Sequence, residues 1–167
     1  MPEGVTEQIQ NLSFATWDTL AIIIIVAVVF VYAYTLGKDY VASMIFGLYI
    51  AAGLVTFSPH LAYFYIDIGI APHFLKLILL VIALVVVMFI ISTNGYFEPY
   101  IVPSSWEVPV FCLLFSGLLI TIAVSYFPVE LINELAPSTR MLFVNEISAT
   151  AWVLAPILGM LIIKGRD

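Results

Sequence analysis

Charge is what this sequence has least of. Only 10% of its 167 residues are Asp, Glu, Lys or Arg, where a soluble domain carries about a quarter. That is too little to wet the surface of a water-soluble fold. Basic residues are scarcer still, five Lys and Arg against eleven Asp and Glu. No basic cluster therefore exists for nucleic acid or for anionic lipid headgroups, and nucleic-acid binding is set aside. A single cysteine, Cys112, lies in an apolar run, which excludes a disulfide framework and a thiolate metal site. Residues 1–16 contain no Lys or Arg but do contain Glu3 and Glu7, so they do not read as a secretory signal. Catalytic motifs are missing as well. The sequence has no HExxH, no Gly-x-Ser-x-Gly and no glycine loop that would cradle phosphates. Nor do two acids share one apolar helical face, as an intramembrane protease would require. No catalytic set, cofactor or bound metal is expected.

Hydrophobic residues fill 63% of the chain, and they come in runs. Crossing about 30 Å of hydrocarbon takes about 20 apolar residues as a helix. Five runs approach that length: residues 17–36, 40–57, 74–91, 108–127 and 147–163. The expected fold is all-α, a polytopic integral membrane helical bundle of four to five transmembrane helices in one domain over residues 1–167. Thr16 or Asp18 is placed to cap the first helix. Gly37-Lys38-Asp39 makes a link so short that the first two spans are expected as an antiparallel hairpin, with Asp39 as N-cap of the second. Residues 58–73 are aromatic but broken by Pro59, Asp67, Gly69 and Pro72, and are expected at the interface, where Tyr favours the headgroup level. Turns are expected over residues 92–105, followed by a capping box of Ser104 and Glu107. A loop runs from 128 to 140, and Ser138 is expected to cap a short helix reaching Glu146. Pro156 should kink the last span.

Lys38, Lys164 and Arg166 fall on one side of five spans, Lys76 and Arg140 on the other. Basic residues favour the cytoplasmic side, which puts the N-terminus outside and the C-terminus in the cytoplasm. The second span repeats small residues every fourth position, Ser43, Gly47 and Ala51, giving a face along which two helix backbones can approach closely. That face is expected to make the span closely packed, against a neighbouring helix or a second copy. His60, Asp67 and His73 surround the broken segment but have no ligand spacing on a defined helix. Glu146 adjoins an uncharged run and is the candidate functional acid. As a relay it would need a desolvated carboxyl; otherwise it is an interfacial acid at a helix start. Trp17, Trp106 and Trp152 read as interfacial anchors or packing.

Trp17-Asp18 opening the first span, the turn Gly37-Lys38-Asp39, and Ser43, Gly47 and Tyr49 in the next helix together resemble the CvpA family. Its members are small bacterial inner-membrane proteins named for a role in colicin V production. The likeness covers residues 17–53. At the turn, where members usually carry two basic residues, this chain has Lys38 alone. The resemblance implies a multi-pass protein of the bacterial cytoplasmic (inner) membrane, with an accessory role in export or envelope homeostasis and no catalytic mechanism. An oligomeric small channel or permease is the alternative, and an anchor subunit of a larger membrane complex a further one. The expected partners are the lipid bilayer and either further copies of the chain or another membrane protein.

Overall fold

A computed structural model describes residues 17–36, 39–58, 71–94 and 107–164. Among the described residues the chain is all helix and turn: α1 (Trp17–Leu36), α2 (Asp39–Thr56), α3 (Pro72–Asn94), α4 (Glu107–Ser125), α5 (Val129–Glu134), α6 (Pro137–Phe143) and α7 (Glu146–Lys164). This is the all-α bundle that the apolar runs imply. α1, α3 and α4 are each long and apolar enough to cross a membrane. The pair α6 and α7 is bent by 54° at a short break and makes a fourth span if taken as one. In α2 the apolar part is the shorter stretch Ala42–Thr56.

Several boundaries depart from those read in the sequence. α3 starts at Pro72, two residues into the segment expected to stay interfacial, and so takes in His73. Proline suits a first helical position, because its missing N–H has no intrahelical acceptor there and its φ is already helical. At its other end α3 continues through Ser92 and Thr93, where a turn was expected. The Thr93 hydroxyl folds back on the Phe89 carbonyl at 2.8 Å, which satisfies it inside the helix. α4 stops at Ser125, short of residue 127, its hydroxyl on the Ile122 carbonyl at 2.7 Å. Residues 128–140 form two short helices, not a loop. Ser138 is not a cap: Pro137 takes the first position of α6, and Ala136 precedes it with no side-chain cap. The helix then breaks at Val144 and Asn145, so the bend lies there, while Pro156 sits inside continuous α7 with its ring fully buried. The capping-box residue Ser104, Asp67 and His60 lie outside the described residues.

The first two spans run antiparallel, but their main packing partners lie elsewhere. α1 runs chiefly along α4, and α2 chiefly along α3, while α1 and α2 meet only briefly. α4 is the hub, touching α1, α2, α6 and α7. Its apolar window is 56% buried, against 17% for those of α1 and α3. Ile45, Leu48 and Leu80 meet Phe111, Cys112 and Leu118 in the main core. A second cluster joins Ile120 and Val124 of α4 to Leu135 and Phe143, with Trp152 packed against it.

Contacts at the helix ends set the directions. Lys76, in the first turns of α3, places Nζ 5.7 Å from the ring centre of Tyr126, just after α4. The Tyr126 hydroxyl lies 3.4 Å from that of Thr56, at the end of α2. Asp18, at the start of α1, reaches Ala136 between α5 and α6. The starts of α1, α3 and α7 thus share one end of the bundle with the ends of α2 and α4. The start of α1 and the end of α7 lie at opposite ends.

Candidate functional site

Two places in the bundle gather polar chemistry or open space. The first is the end of the bundle where α5 and α6 lie. Asp18 stands in the first turn of α1 and is buried, 3% exposed. A buried carboxylate must be compensated by donors, and its Oδ2 accepts the Ala136 N–H at 2.9 Å. This bond holds the start of α1 to the α5–α6 junction. It also gives Asp18 a tertiary role that the local pattern, which marked it as a cap, did not reveal. Glu107 is likewise buried in the first turn of its helix, at the other end of the bundle.

The α6–α7 corner is stapled by Trp152. Its ring stacks on Phe143 with centroids 5.7 Å apart, and its Nε1 donates to the Leu142 carbonyl at 3.0 Å. The ring also lies flat against α4 at Gly117, where an added Cβ would stand 2.2 Å from ring carbons. Only glycine allows that approach. Ser148 donates to the Met141 carbonyl at 2.6 Å and ties the same corner. Asn145 caps α7, its Oδ1 accepting the Ile147 N–H at 3.1 Å. Arg140 lines a surface groove of about 430 Å³ here with Pro137, Met141, Val144 and Asn145. Glu146 follows at the start of α7 and is exposed.

The second place lies within the apolar belt. A groove of about 890 Å³ opens between α1 and α3. Val28 and Val85 form facing walls, Met44 and Phe115 the floor, and Tyr32 and Tyr40 also line it.

Among the residues marked in the sequence, Ser43, Gly47 and Ala51 are all buried on α2. Gly47 faces α3, where an added Cβ would stand 3.0 Å from the Met88 sulfur and 3.7 Å from Leu84. This face meets a neighbouring helix of the same chain. Glu146 is remote from it, at the bundle end. The His73 ring lies tilted against Phe74 with centroids 4.3 Å apart and meets Phe127 edge-on at 6.4 Å. Among the described residues no three His, Cys, Asp or Glu side chains gather as a metal site. Sequence reading missed the Gly117–Trp152 contact and the groove at Arg140. Neither leaves a local signal, since each joins residues from different helices. No family model, curated protein or solved structure matches this chain.

Proposed function

We propose that this chain is a non-enzymatic accessory protein of a bacterial cytoplasmic membrane, acting in export or envelope homeostasis, with the start of α1 outside and the end of α7 in the cytoplasm. The observation that carries the reading is how polar groups within the apolar belt are spent. Ser116 donates to the Cys112 carbonyl at 2.7 Å and Thr121 to the Gly117 carbonyl at 2.8 Å, each within its own helix. Tyr49 of α2 donates to the Val153 carbonyl of α7. In lipid a polar group costs free energy unless bonded; Ser116 and Thr121 are satisfied inside α4, while Tyr49 ties α2 to α7. A transporter needs polar groups aimed at its cargo. A scaffold needs what is found here. The export or envelope setting rests on the resemblance of residues 17–53 to the CvpA family, and the orientation on the placement of Lys and Arg.

A second reading, the anchor subunit of a larger membrane complex, is favoured by the groove between α1 and α3. Its apolar walls and Met floor are suited to a transmembrane helix of a partner, since Met adapts to irregular surfaces. Blue-native electrophoresis of mildly solubilised membranes tests both readings. Co-migration with a component of an export or envelope assembly is expected. A complex unrelated to export would favour the anchor. A lone monomer would sink both, and a homo-oligomer that conducts in planar bilayers would replace them with the channel reading.

A further inference from the structure

Among the described residues Arg140 is a cation without a carboxylate, in a chain with eleven acids and five Lys and Arg. Glu130 and Glu134 lie in the preceding short helix and Glu146 at the start of the next, yet among the described residues Arg140 forms no ion pair. Its Nε is buried with no hydrogen-bond partner, while the side chain lines the groove of about 430 Å³. A partly desolvated guanidinium calls for an anion, and its forked donors fit the oxygens of phosphate.

The rest of the groove narrows what that anion belongs to. Asn145 commits its Oδ1 to the Ile147 amide, which leaves its NH₂ to donate beside Arg140. Pro137, Met141 and Val144 make the other wall apolar. Met141 is 72% exposed, and Leu142 (51%) and Ile147 (81%) are bared around the 54° break between α6 and α7. Exposed apolar residues flanking a break at the end of a spanning helix mark the boundary between hydrocarbon and headgroups. A phosphate at that depth belongs to a phospholipid, and its acyl chains would run past Met141 and Val144.

The next residue in the chain is an acceptor. Glu146 follows Asn145, is exposed and forms no ion pair among the described residues. With Glu130 and Glu134 on the preceding short helix, this end of the bundle disfavours a lipid of net negative charge. They suit one whose phosphate is followed by a cation. A primary ammonium can donate hydrogen bonds to a carboxylate, whereas the trimethylated one of choline has no N–H and cannot. We propose that the Arg140 groove binds the headgroup of an aminophospholipid of the phosphatidylethanolamine type, with Arg140 and Asn145 on its phosphate and Glu146 on its ammonium.

Native mass spectrometry of the full chain in detergent, titrated with dioleoyl lipids, reads this directly. Phosphatidylethanolamine should bind roughly fivefold more tightly than phosphatidylcholine or phosphatidylglycerol, the margin one exposed ion pair can supply. Arg140→Gln should weaken it by about tenfold, as expected for loss of charge-assisted bonds to phosphate. Glu146→Gln should bring phosphatidylethanolamine down to the level of phosphatidylcholine. Inorganic phosphate in large excess should leave the lipid bound. Equal binding of the three lipids, or an unaltered titration with Arg140→Gln, overturns the proposal. Displacement of the lipid by inorganic phosphate also overturns it, by making the groove a site for free anions. Should Arg140→Gln fail to elute as a folded species, the exposed Glu146→Gln decides, and an unchanged preference for ethanolamine over choline then refutes the assignment.

Discussion

Gly117 is the residue where the least change should do the most harm. Trp152 presses on it, and the ring cannot swing aside because Phe143 stacks on it and Leu142 holds its N–H. Gly117→Ala should therefore cost about 1–3 kcal/mol, the usual range for overpacking, and lower the thermal midpoint in detergent. Gly53, whose added Cβ would meet nothing within 4 Å, supplies the control. Gly53→Ala should hold or raise the midpoint, since alanine is the better helix former. Equal midpoints would mean that the ring relocates freely. Only part of this was legible in the sequence. Ser43, Gly47 and Ala51 announce themselves by their spacing on one helix. Gly117 does not, because what makes it special is a ring 35 residues further along the chain. Asp18 was legible only in part for the same reason. Its local setting at a helix start reads as a cap, while the Ala136 amide it binds is 118 residues away.

Among the elements, the α6–α7 corner combines a 54° bend with several side-chain ties. Apolar length located α7 almost to the residue. It could not locate the corner, because proline at 156 is the obvious breaker and yet the helix accommodates it. The break falls at Val144 and Asn145, where the Asn side chain offers the next helix a cap and the α6 carbonyls are taken by Trp152 and Ser148. Trp152→Phe keeps an aromatic ring against Phe143 but removes the bond to Leu142. A net hydrogen bond contributes roughly 1 kcal/mol, so amide exchange across Pro137–Phe143 should speed up about fivefold while that of α4 stays unchanged. Unaltered exchange in α6 would show that stacking alone holds the corner.

For the whole molecule, opposed ends of α1 and α7 translate into a test of topology. The native Cys112 is fully buried, so single cysteines introduced elsewhere can be labelled against a low background. Glu130→Cys, exposed in α5, should react with a membrane-impermeant maleimide in intact cells. Gly165→Cys, just past α7, should react only after the membrane is opened. Reaction of both from outside would mean that α7 does not cross. The positions of the long apolar helices were readable because lipid demands long uncharged runs. Helix partnership was not. The short Gly37-Lys38-Asp39 link argued for pairing α1 with α2, but the neighbours with complementary surfaces are α4 for α1 and α3 for α2.

That pairing has a consequence for biogenesis. A chain made from its N-terminus releases α1 before the other described helices, but the helix that α1 lies along is not complete until Ser125, and the amide bound by Asp18 arrives only with Ala136. α2 and α3, adjacent in order of synthesis, can close on each other as soon as both are made. Of the described helices, the earliest made is therefore among the last to find its neighbours. Until then it must be retained by the insertion machinery or drift alone in lipid, with an acid at its leading turn. A ribosome stalled before residue 136 would leave α1 without its distant clasp, and such a nascent chain is the form a membrane protease should recognise.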